Sequence, residues 1–240
     1  YYYAVYPYRT SNKLSNQGVF TVVLPSEQSY KANSFGIGSN TMVAVSDGEF
    51  IAFKNVCGYL SISLWGDDVS VTKVTLQGKN GEKIAGKASV SMPFGGLPSA
   101  TMDGTATESI TIECSPALKI GSSESEPTTF WFAIPPVTFS KGITMTIEDD
   151  KGGVFTKSAS AKIEIKRNKV DKMGTLHVMP SYATVTFTDS NFETYCLENF
   201  DDNEDGKITS DEASAVKSID VCTDNIASLD GVEAFTNLES

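Results

Sequence analysis

The sequence has few of the residues on which metal and catalytic sites are commonly built. It contains one histidine, His177, and four cysteines, none of them in a C-x-x-C pair. Structural zinc sites need several Cys or His ligands at short spacings, so these counts argue against zinc. The G-x-S-x-G, phosphate-loop and nucleophilic-cysteine motifs are also absent. Carboxylate pairs such as Asp149-Asp150 are interpreted as solvated charge in turns. We therefore expect no catalytic residues and predict that the protein is not an enzyme.

Positive charge and long apolar stretches are also scarce. Lys and Arg number 19 against 30 Asp and Glu, which gives a formal net charge of -11. An acidic chain repels phosphate backbones, so no nucleic acid partner is expected. No apolar run reaches the length of a membrane span, and no basic stripe is present to bind an anionic membrane surface.

The region before Thr188 repeats a pattern of short β-rich runs and turns. The run V-F-T-V-V-L begins at Val19, and in L-S-I-S-L from Leu60 apolar residues alternate with serine, the period of a half-buried strand. Turn signals recur at intervals of roughly 8–12 residues. Among them, G-K-N-G at Gly78 and D-D-K-G-G at Asp149 are interpreted as hairpin turns. The pattern predicts a β-sandwich that contains no helix of three or more turns.

The pattern changes near Thr188. From Asn191 the sequence N-F-E-T-Y-C-L-E-N-F has its apolar residues at helical spacing, and Asp189 or Ser190 is placed to cap this helix. A second short helical stretch, D-E-A-S-A-V-K, begins at Asp211. We therefore predict two short helices with an acidic segment between them.

The acidic segment, D-D-N-E-D-G-K-I-T-S-D-E, has the ligand spacing of an EF-hand calcium loop. Such a loop offers oxygens at positions 1, 3, 5, 7, 9 and 12, with glycine at position 6. If Asp201 is position 1, Gly206 falls at position 6, and Ile208 is the apolar residue that packs against the core. The predicted Ca²⁺ ligands are Asp201, Asn203, Asp205, Lys207 through its backbone carbonyl, Thr209 directly or through a water, and Glu212 through two oxygens.

Two other interpretations of this segment remain open. The first is a solvated acidic turn. The second is a capping box from Thr209 to Glu212, in which the Glu212 side chain caps the start of the second helix. Because one such loop is visible and sensor EF-hands work in pairs, we expect a structural ion rather than a calcium sensor.

The C-terminal segment from Val216 onwards fits part of the leucine-rich template L-x-x-L-x-L-x-x-N-x-L. We predict an incomplete leucine-rich repeat over 219–240, with Ile219 and Val221 on a short strand. One repeat cannot bury its own face, so an apolar face should be left open. An amphipathic helix is the alternative interpretation. The residues that fill the template are Val216, Ile219, Val221, Asp224 and Ile226.

Five strand sequences together resemble one family. They are Y-Y-A-V-Y-P-Y at Tyr2, F-K-N-V-C-G-Y-L at Phe53, E-K-I-A-G-K at Glu82, F-W-F-A-I-P-P-V-T-F at Phe130 and I-E-I-K-R-N-K-V at Ile163. These segments resemble the fimbrillin-like surface proteins of Bacteroidetes, which are related to type V pilins. The resemblance implies a transthyretin-like β-sandwich, commonly two in tandem. The acidic loop followed by a repeat is similar to the EF-hand-like cap that precedes leucine-rich repeats in bacterial surface proteins. A dockerin, which carries the calcium loop twice, fits less well.

The resemblance implies four parts of the chain. Residues 1–47 are expected to be the end of a first fimbrillin-like domain, so that the sequence begins inside a domain. Residues 48–187 are expected to form a fimbrillin-like β-sandwich. An EF-hand-like calcium cap then occupies 188–218, and the incomplete leucine-rich repeat occupies 219–240.

Family resemblance also implies a function. It implies an exported lipoprotein at the outer-membrane surface, held by a lipid anchor upstream, with a role in fimbria assembly or adhesion. Because a leucine-rich segment follows the sandwich, where a pilin has its donated strand, adhesion is favoured over polymerisation. The expected partner is a protein or a glycan at the cell surface. A carbohydrate-binding surface lipoprotein is the alternative, which solvent-facing rings of Trp65 and Trp131 would favour. A subunit of a glycan-processing enzyme is less favoured.

Overall fold

The structure, a computed structural model, describes residues 1–202, 204, 206–221 and 225–239. Over these residues the chain is mainly β, and both of its α-helices follow Thr188. This confirms the prediction that the region before Thr188 forms strands and turns. None of the helices described is long and apolar enough to cross a membrane.

The regular elements follow one another in chain order. The strands are β1 (Tyr2–Tyr6), β2 (Lys13–Leu14), β3 (Val19–Leu24), β4 (Glu27–Lys31), β5 (Ser34–Phe35), β6 (Met42–Ser46), β7 (Lys54–Asn55), β8 (Gly58–Trp65), β9 (Ser70–Gly78), β10 (Gly86–Ser91), β11 (Ser99–Met102), β12 (Ser109–Lys119), β13 (Thr128–Ile134), β14 (Val137–Phe139), β15 (Ile143–Asp149), β16 (Val154–Ala159), β17 (Ile163–Ile165) and β18 (Val170–His177). The helices are α1 (Ser190–Phe200), α2 (Ser210–Ala215) and a short 3₁₀ helix (Val232–Ala234).

The strands form several sheets. The largest has the order β16-β15-β9-β12-β4-β5, and the others are β11-β10-β3-β2, β13-β8-β18, β1-β6-β7 and β14-β17. The predicted turn at Asp149 does connect two neighbouring strands, β15 and β16. The hairpin predicted at Gly78 is wrong, because β9 and β10 on either side of it belong to different sheets.

Contacts between residues divide the chain into two units. Unit 1 consists of Tyr1–Ile147 and Phe155–Met179, and unit 2 of Glu148–Val154 and Pro180–Ser240. The bounds of the two units differ from those of the four parts expected from the family resemblance. The four-part division stays a prediction about domain organisation.

Unit 1 has its main core between the six-stranded sheet and the sheet β13-β8-β18. Alternation along β8 sends Leu60 and Ile62 into this core, and the antiparallel register places Phe132 and Phe130 opposite them. Both faces of β8 are buried, which explains why its whole length is apolar or small. The main core includes Leu60, Ile62, Leu64, Val71, Val74, Leu76, Ile110, Ile112, Phe130, Phe132, Ile134, Phe139, Ile143, Met145 and Ile147.

A second core in unit 1 lies on the opposite side of β8. Tyr59 and Ala133, which alternate with the residues of the main core, face it. Strands β3 and β10 pair along their length and supply most of its other side chains. The buried members are Phe20, Val22, Leu24, Val43, Val56, Cys57, Tyr59, Ala88, Val90, Met92 and Ala133.

Unit 2 has a terminal core of its own. Its buried members are Phe192, Cys196, Ile208, Ala213 and Phe235, so it joins both helices, the end of the acidic loop and the C-terminal segment. Phe192 and Cys196 stand one helical turn apart on α1, which explains why they share this core.

The C-terminal segment differs from the predicted leucine-rich geometry. Neither Ile219 nor Val221 lies on a strand. Both side chains, with Ile226 and Leu238, instead pack against the terminal core. The apolar residues of this segment thus contribute to the terminal core of unit 2.

Candidate metal centre

Two short helices bracket the acidic segment, as the sequence predicts. Helix α1 begins after Asp189, whose Oδ1 accepts hydrogen bonds from the backbone N–H groups of Asn191 at 2.9 Å and Phe192 at 3.0 Å. Its Oδ2 accepts from the N–H groups of Ala227 at 2.7 Å and Ser228 at 3.3 Å. These backbone hydrogen bonds, that of Ala227 foremost, hold the pKa of Asp189 below its usual value. The predicted cap therefore also ties the C-terminal segment to α1, which the sequence did not indicate.

The first predicted ligand, Asp201, lies at the end of α1. Its Oδ2 accepts a hydrogen bond of 2.8 Å from the backbone N–H of Gly206, which closes this part of the loop. Gly206 has a φ of 76°, a left-handed conformation that explains why glycine stands at this position. Asn203 and Asp205 lie outside the described residues, so their assignment as ligands stays a prediction.

The second half of the loop forms a short pairing with the preceding chain. Ile208 is buried, as predicted, and its carbonyl accepts a hydrogen bond of 2.7 Å from the N–H of Val185. The N–H of Ser210 donates to the carbonyl of Ala183, also at 2.7 Å. Lys207, the predicted carbonyl ligand, is exposed on the loop just before this pairing. The pairing fixes the backbone of the loop at the end that carries Glu212.

Thr209 and Glu212 form the predicted capping box. The Thr209 hydroxyl accepts a hydrogen bond of 3.3 Å from the N–H of Glu212, and Glu212 Oε2 accepts from the N–H of Thr209 at 2.9 Å. The same Oε2 also accepts from the Thr209 hydroxyl at 2.8 Å. The capping-box interpretation is thus confirmed, and it accounts for one of the two carboxylate oxygens.

The other oxygen of Glu212 remains to be explained. Oε1 is buried and has no hydrogen-bond partner among the described atoms. A buried acceptor without a donor costs free energy, because it has lost its water without gaining a replacement. Glu212 also lines a cavity of about 310 Å³ with Asp202 and Phe200. A hard cation such as Ca²⁺ would supply the missing partner of Oε1, so Glu212 itself fits the predicted ion.

The described residues do not by themselves complete a metal site. Over the ranges given above, no three His, Cys, Asp or Glu side chains lie close enough together to hold an ion. That set omits Asn203 and Asp205, two of the six predicted ligands. Calcium at this loop therefore stays a prediction that rests on ligand spacing and on the free oxygen of Glu212.

A buried carboxylate in unit 2 was missed. Asp149, expected as solvated charge, is only 6% exposed. Its Oδ1 accepts hydrogen bonds from the N–H groups of Gly153 at 2.6 Å and Lys151 at 3.0 Å, and its Oδ2 accepts from the Tyr182 hydroxyl at 2.8 Å. Burial, followed by this hydrogen bond, raises the pKa of Tyr182 well above its usual value. A β-carbon on Gly153 would stand 2.5 Å from Cε1 of Tyr182, so the packing requires glycine. The turn sequence D-D-K-G-G at Asp149 was the only feature of the sequence that pointed to this arrangement.

The residues considered for catalysis or glycan binding lie in strands. His177 ends β18, and its ring stacks on Trp65 with centroids 3.7 Å apart and planes at 4°. Trp131 is half-buried, and its Nε1 is buried without a hydrogen-bond partner in the described structure. Because both tryptophans are half-buried, they do not form a solvent-facing row of rings.

The chain is structurally similar to three solved proteins from Bacteroides, each described as a candidate cell adhesion protein. The protein from Bacteroides uniformis has 17% identity and a TM-score of 0.44, over 73% of this chain and 66% of that one. The protein from Bacteroides ovatus has 11% identity and a TM-score of 0.43, over 75% of this chain and 65% of that one. The protein from Bacteroides fragilis has 7% identity and a TM-score of 0.31, over 72% of this chain and 61% of that one. The chain thus spans just under two thirds of their lengths. Similarity at this level assigns neither family nor function. No protein-family model and no curated protein matches the sequence.

Proposed function

We propose that the loop from Asp201 to Glu212 binds one Ca²⁺ and that the ion has a structural role. The observation that carries this proposal is the buried Oε1 of Glu212, which has no donor among the residues that the structure describes, although it stands at the last ligand position of an EF-hand spacing. At the other end of the loop, Asp201 is already oriented by the N–H of Gly206. The proposed ligands are Asp201, Asn203, Asp205, the Lys207 carbonyl, Thr209 directly or through a water, and Glu212.

The structural role follows from what lies on either side of the loop. The terminal core takes Phe192 from α1, Ile208 from the loop and Ala213 from α2, so the loop connects parts of one core. Without the ion, the carboxylates at both ends of the loop repel one another. With the ion, the same charges hold α1 and α2 together.

We further infer that the chain belongs to an exported cell-surface adhesion protein. The segments that resemble fimbrillin-like proteins overlap strands, among them β1, β8, β13 and β17, and β8 is the central strand of its sheet. On this proposal unit 1 is a transthyretin-like sandwich, and the calcium cap leads into a leucine-rich segment over 219–240. Its partner is a protein or glycan at the cell surface, a lipid anchor upstream holds it at the outer membrane, and it is not an enzyme.

Thermal unfolding of the chain with calcium and with chelator tests the calcium proposal. Ca²⁺ should raise the unfolding temperature of unit 2, because it binds the folded loop only. Mg²⁺ should have a much smaller effect, because it needs a smaller octahedral site. Coincident melting curves in calcium and in chelator would leave Glu212 as a helix cap alone and would overturn the proposal.

A further inference from the structure

A cavity of about 560 Å³ in unit 1 has aromatic walls. One wall is a row across the sheet β1-β6-β7, in which Tyr6 pairs with Met42 and Met42 with Asn55. Another is formed by Phe35, whose ring stacks on Tyr59 with centroids 4.8 Å apart and planes at 6°. Tyr6 is 44% exposed, so part of its ring is free to contact a ligand. This volume and lining are typical of sites for small molecules.

The cavity also carries a polar side chain with unused hydrogen-bonding capacity. Asn40 lines it and is only 6% exposed. Its Nδ2 donates to Asn55 Oδ1 at 2.9 Å, and Asn55 in turn donates to Asn168 Oδ1 at 2.6 Å. This chain of amides fixes Asn40, yet its Oδ1 is buried without a donor among the described residues. Lys31 and Ser34 add further polar groups to the lining.

A second cavity, of about 260 Å³, shares the wall formed by Ile37 and Gly38. It is more polar and is lined by Arg9 and Ser39. One terminal nitrogen of Arg9 donates to the Gly38 carbonyl at 3.4 Å, while Arg9 Nε and Ser39 Oγ are buried without partners in the described structure. Ser39 and Asn40 of the loop 36–40, and Arg9 beside it, therefore have unused hydrogen-bonding groups in the described structure.

We propose that the larger cavity binds a sugar ring of a neutral glycan. The C–H face of a pyranose packs on aromatic rings such as those of Tyr6 and Phe35. Its hydroxyls both donate and accept, so a sugar can supply the donor that Asn40 Oδ1 lacks and also accept from Lys31 on the same cavity. An anion would pair with Lys31 but cannot donate to Asn40, and an apolar ligand would satisfy neither. The proposal names a ligand class for the adhesion role proposed above, and its geometry lies within unit 1 and does not involve the calcium loop.

The test is a titration of the ¹⁵N-labelled full chain with methyl α-glycosides of glucose, galactose, mannose and N-acetylglucosamine, into the millimolar range. At least one should produce saturable chemical-shift changes at residues 31–42 and 55–59. Tyr6→Ala should weaken binding about three- to tenfold through the lost ring contact. Asn40→Ala should weaken it by a similar factor, with a dispersed spectrum as the check on folding. Tyr8→Ala is the matched control, because Tyr8 is 83% exposed and does not line either cavity.

The proposal would be overturned by the absence of saturable changes with every glycoside. It would be overturned equally by changes centred elsewhere, for example at Trp65 and His177, or by unaltered binding of the Tyr6→Ala chain. Each titration is run in calcium and in chelator. Sugar binding in both conditions supports the cavity whatever the melting curves show, so failure of this proposal and failure of the calcium proposal are distinguishable.

Discussion

Replacing Glu212 by glutamine separates the two roles of this side chain. Glutamine keeps a side-chain oxygen that accepts from the N–H of Thr209, and the capping box tolerates either residue. It loses the negative charge and cannot offer two carboxylate oxygens to an ion. Glu212→Gln should therefore leave α2 capped but remove most of the response to calcium, whereas Glu212→Ala should remove both.

The expected magnitude follows from binding to the folded state alone. At a hundredfold excess over the dissociation constant, Ca²⁺ adds about 2.7 kcal/mol to the free energy of unfolding. In a domain of roughly 60–100 residues, about 1 kcal/mol moves the melting temperature by about 4–8 °C. In calcium, unit 2 of Glu212→Gln should thus melt roughly 10–20 °C below the wild type. Glu212→Ala should be less stable by about 1 kcal/mol more, because the cap is lost as well.

Circular dichroism at a helix-sensitive wavelength is a suitable assay, since both α-helices described belong to unit 2. In chelator, the wild type and Glu212→Gln should melt within a few degrees of each other, because both keep the cap. An equal calcium response of the two proteins would refute the reasoning, since Oε1 of Glu212 would then have no role in binding.

Three further predictions concern groups outside the loop. Burial and the hydrogen bond to Asp149 raise the pKa of Tyr182. The contribution of its neutral hydroxyl to the free energy of unfolding is therefore fully present below the unfolded pKa of about 10.0 and is lost as the pH rises from there to the raised folded pKa. Tyr182→Phe should lessen this loss in unfolding experiments across alkaline pH. Burial raises the pKa of Cys57 to about 12 and that of Cys196 to about 11, so native protein should protect both from iodoacetamide, and mass mapping of either adduct would contradict this. Phe132→Ala should destabilise unit 1 by about 3–5 kcal/mol in chemical unfolding, while the calcium response of unit 2 stays unchanged.

Local sequence patterns predicted where the strands and helices lie better than they predicted which strands pair with each other. Alternation along β8 correctly indicates a strand, because the two-residue period of a strand appears directly in neighbouring residues of the sequence. The turn at Gly78 looked like a hairpin, yet β9 pairs with β12 and β10 with β3. Such pairings join residues far apart in the sequence, and a local turn signal does not encode them.

The same distinction applies to the sites. The cap at Asp189 and the box at Thr209 could be predicted, because both are formed by residues within a few positions of one another. The burial of Asp149 could not, because Tyr182 reaches it from 33 residues away. The pocket around Asn40 was also missed, since six separate strands and the loop 36–40 supply its lining residues. The strand expected at Ile219 is wrong, because its side chain packs against the terminal core, whose members come from distant parts of the sequence.

Calorimetric titration of Ca²⁺ into the chain tests the central claim most directly. The wild type should bind one equivalent, and Asp201→Ala should abolish or greatly weaken this binding, because the first ligand of the loop is lost. Asp202→Ala is the matched control, since it removes the neighbouring charge without removing a proposed ligand and should keep the single site. Absence of binding by the wild type, or equal binding by Asp201→Ala, would contradict a calcium site in this loop.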